Sequence, residues 1–407
     1  MAASLRYSGQ AFVIIMDPLV LAGIVLALLF NFVNGMNDAA NSIATVVATR
    51  VLSPVRAVAM AAFFNMIGPL LFTTAVAKTI GKGIVDPVYL TPVVIVIGMF
   101  VTVLWVYLSS RIGIPISATH ALVGGLIGSA AAFAGFGVII LPSAGTIIGL
   151  FLYAALGSIT GMVVCFLVGR VTKEESMLPF VVQGGFAGAI LSVPFVIITG
   201  LLKISGLFAI VIFIVLSPLL GFISTYIFSL IFIRWFRNKN PNKMNFLSRK
   251  LQVVSASFYS IGHGSNDAQN GMGVITAILV AGGILNEFIV PVWVILLSCG
   301  AIALGTLLGG WQVVKTMAKK ITNLRPYQGF CAETSGGVVL SFITAFGVPV
   351  STTHAITGAI MGVGATRGSS AVQWGTVRRI VTAWVITIPI TALCSYACFV
   401  LYKVIFP

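Results

Sequence analysis

Asn34, Asn37, Asp38 and Asn41 stand at relative positions 0, 3, 4 and 7 in Asn34-Gly-Met-Asn-Asp-Ala-Ala-Asn41. His263, Asn266, Asp267 and Asn270 repeat that spacing around Gly264-Ser-Asn-Asp-Ala-Gln-Asn270. On an α-helix these positions share one face. Each face is then a ladder of one carboxylate with amide oxygens and amide donors beside it. Carboxylate and amide oxygens are ligands that hard cations such as Na⁺ accept. Asn37, Asp38, Asn266 and Asp267 are therefore the expected cation ligands, with Na⁺ at Asp38 and Asp267.

A second pair of motifs suits the opposite charge. Gly113-Ile-Pro-Ile-Ser-Ala-Thr-His-Ala-Leu-Val-Gly124 matches Gly347-Val-Pro-Val-Ser-Thr-Thr-His-Ala-Ile-Thr-Gly358 position by position. Proline followed by Ser117 or Ser351 reads as a helix start, with the serine as N-cap. Unpaired N–H groups and the positive end of the helix dipole bind anions there, and hydroxyls add donors. Ser117, Ala118 and Thr119 with Ser351, Thr352 and Thr353 could close on one compact, multiply charged oxyanion. Two bare carboxylates would repel that anion, so the two ligands are expected to bind together. His120 and His354 read as hydrogen-bonding groups of the first turn, with a proton relay as the alternative. Glu333, an acid in an apolar stretch, is a further site candidate.

The elements that position these residues must lie in a bilayer. The chain has 407 residues, of which 59% are hydrophobic and 8% charged, with a mean hydropathy of +1.11. That composition is expected of an all-α, multi-pass membrane protein in contact with lipid. Asp38 precedes Arg50 by twelve residues, roughly 18 Å along a helix and near the middle of a ~30 Å hydrocarbon layer. A net charge of +15 raises a nucleic-acid reading. It is rejected, because the cations occupy short loops between apolar runs, as the positive-inside bias predicts. Cys165, Cys299, Cys331, Cys394 and Cys398 have no metal-ligand spacing and read as free thiols.

About twelve apolar segments are expected, at 18–48, 57–77, 88–110, 115–135, 143–169, 180–201, 204–232, 252–280, 289–310, 329–346, 349–365 and 380–403. Arg234–Lys250 has six cations and no acid, which places it in the cytoplasm. Counting crossings from it puts Arg50/Arg56, Arg111, Arg170/Lys173, Lys315–Arg325 and Arg367–Arg379 inside, and both chain termini outside. Lys78, Lys82, Lys203 and Lys403 are the exceptions. The two ladders then run in opposite directions, as in an inverted-topology repeat. The expected organisation is a first repeat at 17–170, connecting helices and a basic loop at 171–249, and a second repeat at 250–407. Residues 1–15 carry no clear signal-peptide pattern. The regions 88–135 and 329–365 are expected as discontinuous helices or re-entrant hairpins, since broken backbone at membrane depth is tolerated beside a cavity. Gly124/Gly128 and Gly358/Gly362 are expected at close helix contacts.

The paired Gly-x-Asn-Asp-Ala-x-Asn and Gly-x-Pro-x-Ser-x-Thr-His motifs, with Lys78-Thr-Ile-Gly-Lys-Gly-Ile-Val-Asp86 and Gly329-Phe-Cys-Ala-Glu333, resemble the PiT-type inorganic phosphate transporters. The resemblance runs from about residue 18 to near the end. It implies phosphate import with Na⁺ or H⁺ through two inverted repeats and no other cofactor. Asp38 and Asp267 would match the family's essential acids, and Glu333 its hairpin glutamate. Phosphate is then expected on the two Ser/Thr helix starts, with Asn41 and Asn270. Eukaryotic members carry a Glu in the second helix, where this chain reads Phe64-Asn65-Met66. The short Arg234–Lys250 loop resembles prokaryotic members and so implies the cytoplasmic membrane. The oligomeric state is left open, a homodimer included. A cation exchanger using the two acids alone is the runner-up, but it leaves the Ser/Thr helix starts without a role. A metal-dependent membrane hydrolase is disfavoured, because three histidines and scattered acids offer no ligand cluster such as His-x-x-x-His.

Overall fold

A computed structural model of the chain describes residues 17–172, 176–202, 204 and 206–406. Residues 1–16, Lys173 and Lys203 thus lie outside the described residues. The described residues form fourteen α-helices. The first half holds α1 (Pro18–Ala48), α2 (Pro54–Leu71), α3 (Ala75–Lys82), α4 (Pro92–Ile112), α5 (Ala118–Ala134), α6 (Ala144–Thr172) and α7 (Met177–Ile198). Then come α8 (Gly206–Phe236), α9 (Pro241–Ala281), α10 (Val292–Leu308), α11 (Trp311–Lys319), α12 (Pro326–Ala345), α13 (Thr352–Ala365) and α14 (Trp374–Ile405). Local chemistry sets several starts. Asp17 accepts from Leu19 N at 2.8 Å ahead of Pro18, and Asn240 accepts from Asn242 N at 2.9 Å ahead of Pro241.

Among the described residues, seven helices are long and apolar enough to cross a membrane, or eight when α10 and α11, bent by 68°, count as one span. Each expected apolar segment contains a helix, but the boundaries differ. Arg234–Lys250, expected as a loop, is largely helical, with α8 ending at Phe236 and α9 starting at Pro241. Two of the expected segments are broken or extended by a short helix. Segment 57–77 breaks after Leu71, and the chain restarts as α3; past 310 the chain continues as α11. Both short helices carry lysines on one face, so an apolar-run reading cannot resolve them.

The order α1 to α5 recurs as α9 to α13, and the packing recurs with it. Val20 packs beside Gly282, Gly23 beside Ile278 and Asn31 beside Gly271, so α1 and α9 run antiparallel. The first glycine of each ladder motif permits a close crossing. A Cβ on Gly35 would lie 2.2 Å from Ile302 O on α10, and one on Gly264 would lie 2.1 Å from Asn65 O on α2. Gly124 and Gly128 press on the α14 backbone, and Gly358 and Gly362 press on that of α8. In this respect α8 stands to α13 as α14 stands to α5. Segments that the charge count put on one side also meet, since Arg249, near the start of α9, donates to Arg50 O at 2.8 Å and Arg367 to Asn323 O at 2.7 Å.

Each short helix clamps the turn of the other half. Thr79 on α3 donates to Gly347 O at 2.8 Å, and Thr316 on α11 donates to Gly113 O at 2.9 Å. Gly113 and Gly347 have φ of +79° and +74°, a conformation that side chains strain to adopt. The helix pairs α4–α5 and α12–α13 thus meet at Gly-x-Pro turns, each held by an element from the opposite half.

Gly35→Ala and Gly264→Ala should each destabilise the protein by about 1–3 kcal/mol through overpacking. Gly300→Ala on α10, where a Cβ meets nothing within 4 Å, should be neutral or stabilising by up to about 1 kcal/mol. Thermal unfolding in detergent distinguishes them, and equal midpoints for all three variants would refute the crossing argument.

Candidate functional site

The antiparallel crossing of α1 and α9 brings the two ladders face to face. Asn34, Asn37, Asp38, Asn41, His263, Asn266, Asp267 and Asn270 are all buried. Within each ladder the amide preceding the acid donates to it: Asn37 Nδ2 to Asp38 Oδ1 at 2.6 Å, and Asn266 Nδ2 to Asp267 Oδ1 at 2.9 Å. Between ladders, Asn34 Nδ2 donates to Asp267 Oδ2 at 3.3 Å. The ligating atoms of Asp38, His263 and Asp267 all lie within 4.8 Å of one another.

The helix starts close over this pair. Ser117 Oγ accepts from His120 N and Ser351 Oγ from His354 N, both at 3.3 Å, so both serines are N-caps as the motif predicts. Asn41 donates to Thr352 and Thr353 hydroxyls at 3.1 and 3.0 Å, and Asn270 donates to Thr119 Oγ1 at 2.9 Å. The last amide of each ladder therefore reaches the helix start of the other half. Thr352 Oγ1 lies 3.3 Å from Asp38 Oδ2 and 3.4 Å from Asp267 Oδ2, while Thr353 Oγ1 lies 3.3 Å from Asp38 Oδ1. The corresponding start in the first half has Ala118 where the second has Thr352, so it offers no hydroxyl there. Asn266 Nδ2 donates to Val350 O at 2.7 Å, and Thr353 Oγ1 to Ile116 O at 3.2 Å, which ties both turns to the site.

Several amide oxygens here lack a donor. Among the described residues, Asn34 Oδ1, Asn37 Oδ1, Asn41 Oδ1 and Asn270 Oδ1 are buried without a hydrogen-bond partner. Buried acceptors left unpaired are costly. Together with two carboxylates they form the oxygen-rich donor set that suits a hard cation.

Glu333 sits apart from this centre, on α12. It accepts from Thr45 on α1 and from Gln252 Nε2 and Ser255 Oγ on α9, the latter two at 3.3 and 2.5 Å. Gln252 in turn accepts from Thr49 at 2.9 Å. Thr45 is seven residues beyond Asp38, about 10 Å along the helix. His120 and His354 meet edge to face, with centroids 4.9 Å apart, and His354 stacks on Trp384 at 3.8 Å. His354 Nδ1 lies 3.2 Å from Ile214 O, and Trp384 Nε1 donates to Pro115 O at 3.1 Å. The ring contact joins α5 to α13, while His120 Nδ1 and His354 Nε2 are buried without a hydrogen-bond partner among the described residues.

Sequence reasoning passed over Thr45, Gln252, Ser255 and Tyr259, and gave His263 no role. Tyr259 OH donates to Thr352 O at 3.1 Å; His263 Nε2 is 3.3 Å from Asp267 Oδ2, and its Nδ1 is 3.2 Å from Asn65 Oδ1. The pattern was available. Ser255, Tyr259, His263 and Asp267 follow at intervals of four, and Thr45 is four beyond Asn41, so each ladder continues along its face.

The sequence profile described as the Phosphate transporter family matches residues 34–395. The chain belongs to that family. A probable low-affinity inorganic phosphate transporter of Rhizobium meliloti (strain 1021) is 43% identical over 383 residues, covering 94% of this chain and 96% of its own length. A probable low-affinity inorganic phosphate transporter of Bacillus subtilis (strain 168) is 33% identical, with 94% and 97% covered. A solved structure described as the sodium-dependent phosphate transporter superposes with a TM-score of 0.67 at 24% identity, covering 96% of this chain and 100% of that one. It is a likeness of fold. As a phosphate transporter family member with several membrane-capable helices, the chain is an integral, multi-pass membrane transporter and not an enzyme.

If the histidine pair is structural, His354→Ala should cost roughly 1–3 kcal/mol through the lost buried hydrogen bond and ring stacking. His354→Phe should keep the pH profile of transport unchanged in shape. A displaced profile in a folded variant would put a proton on the pair instead.

Proposed function

We propose that this chain imports inorganic phosphate by symport with Na⁺ across the prokaryotic cytoplasmic membrane, H⁺ being the alternative coupling ion. The observation that carries the reading is the Thr352–Thr353 helix start seated on both Asp38 and Asp267, with unpartnered amide oxygens around them. Anion-type and cation-type ligands share one buried site. The names of the relatives supply the identity of the anion, and that of the solved structure supports Na⁺.

In this reading Asn37, Asp38, Asn266 and Asp267 hold Na⁺. Ser117, Ala118, Thr119, Ser351, Thr352 and Thr353 hold phosphate through hydroxyls and backbone N–H groups, with Asn41 and Asn270 beside them. An ionised carboxylate has no proton to donate to a phosphate oxygen, so a cation must stand between them. Glu333, bound to both ladder helices, is a candidate for a further cation. A cation exchanger would leave the threonine hydroxyls and the helix N-termini without purpose.

The proposed architecture is a pair of inverted-topology repeats, 17–170 and 250–407, joined by 171–249, with about twelve apolar segments and both termini outside. The antiparallel course of α1 and α9 and the paired clamps on the two turns favour it. One adjustment follows from packing: α8, within the connecting region, serves α13 as α14 serves α5. In this scheme α4–α5 and α12–α13 are the re-entrant hairpins. One chain supplies the whole cradle, so a homodimer is not required for the chemistry.

Asp38→Asn and Asp267→Asn keep shape and remove charge. Each should abolish gradient-driven uptake of radiolabelled phosphate into proteoliposomes and flatten the dependence of phosphate affinity on Na⁺. Folded variants that keep wild-type Na⁺ or H⁺ dependence would move the cation site elsewhere. Thr353→Ala should weaken phosphate binding by about 1–3 kcal/mol, the loss of a hydrogen bond to a charged group.

Orientation has its own test. After replacement of the five native cysteines, Ser53→Cys should resist an impermeant thiol reagent in whole cells, and Asn286→Cys should react. Both positions are exposed, so equal labelling would refute the inverted arrangement.

A further inference from the structure

We propose that two basic cavities, one beside α3 and one beside α11, are antechambers that collect the oxyanion on opposite faces before it reaches the central site. The inference rests on the phosphate-import reading. The first cavity, of about 590 Å³, lies between Lys78, Thr79 and Lys82 of α3 and the Gly347–Pro349 turn. The second, of about 390 Å³, lies between Thr316 and Lys320 at α11, Arg379 of α14 and the Gly113–Pro115 turn. Each cavity pairs a short helix of one half with the Gly-x-Pro turn of the other, and each contains the matching threonine clamp. Among the described residues, each has two cations on its wall and no acid.

The turns are thin partitions. Pro349 faces the first cavity, while the next residue, Val350, accepts from Asn266 of the ladder at 2.7 Å. Pro115 faces the second, while Ile116 accepts from Thr353 at 3.2 Å. One residue of chain therefore separates each basic cavity from the proposed cradle. An anion held by the cations waits at the wall of the site that will receive it.

The charge placement supports the assignment. Lys78 and Lys82 run against the positive-inside bias on the proposed orientation, so something other than topology must retain them. Lys403, another exception, is accounted for: it donates to Ala132 O and Phe133 O at 3.0 and 3.2 Å, capping the end of α5. Lys82 lies 5.3 Å from the Phe288 ring centroid, and Lys78 has no hydrogen-bond or ion-pair partner among the described residues. Two such cations in an apolar-walled cleft focus the field and raise both the local anion concentration and the on-rate.

The test is initial-rate phosphate uptake in whole cells devoid of other phosphate transporters, for Lys78→Gln/Lys82→Gln against wild type. At low ionic strength the half-saturation concentration should rise roughly three- to tenfold, with the maximal rate held. At about 1 M salt, where the screening length is about 3 Å, the gap should close. Lys78→Arg/Lys82→Arg should restore the wild-type value. In inverted membrane vesicles, Lys320→Gln/Arg379→Gln should raise the half-saturation for phosphate presented to the cytoplasmic face. An unchanged half-saturation at low ionic strength would overturn the proposal. So would a lowered maximal rate that salt does not affect, because that marks a structural role. Wild-type cells with no phosphate uptake would instead remove the parent reading.

Discussion

Two carboxylates held close together in the interior of the bundle constrain everything around them. At separations below 4.8 Å, two unit charges repel by about 3–4 kcal/mol or more at an effective dielectric of about 20. Amide donors from Asn34, Asn37 and Asn266 and hydroxyls from Thr352 and Thr353 answer part of that repulsion. In the proposed symport a cation would take up the remainder. The crossing geometry is what creates the pair. Only a glycine at 35 and at 264 lets α1 and α9 lie this deep against α10 and α2.

The ladders, the helix starts and their N-caps were legible because each is a local pattern. A four-residue spacing shares a face, and Pro-x-Ser at the head of an apolar run is a helix start wherever the chain goes. What could not be read were pairings across hundreds of residues. Glu333 finds Thr45 and Ser255, Thr79 finds Gly347, and Asn41 finds Thr352, and no local pattern encodes such partners. The breaks at α3 and α11 were missed for a different reason. A run-based reading weighs average hydropathy, and an amphipathic turn of helix beside a membrane span changes that average little. The family resemblance named Lys78–Asp86 as a motif, but only the clamp on the opposite turn gives its threonine a physical task.

The two halves repeat in sequence yet differ in chemistry. Asn34 in one ladder answers His263 in the other, and Ala118 in one helix start answers Thr352 in the other. The difference concentrates contacts on one side. Thr352 and Thr353 touch the carboxylates, whereas Thr119 touches only Asn270. The repeated sequence thus carries an asymmetric site, and α13 is the helix start that touches both acids.

That dependence bears on coupling. Thr352 has one hydroxyl proton and two carboxylate oxygens within reach, on Asp38 and on Asp267, so it satisfies one acid at a time. A cation that occupies either acid releases the hydroxyl to turn towards the other acid or towards an anion. An anion that takes the hydroxyl leaves the acids more dependent on a cation. In the proposed symport, each ligand would therefore improve the site for the other, and by linkage the factor must be the same in both directions. Glu333 extends the argument along the bundle. Its bonds to Thr45 on α1 and to Gln252 and Ser255 on α9 fasten α12 to both ladder helices at once. A shift of α12 would have to break contacts to both ladder helices.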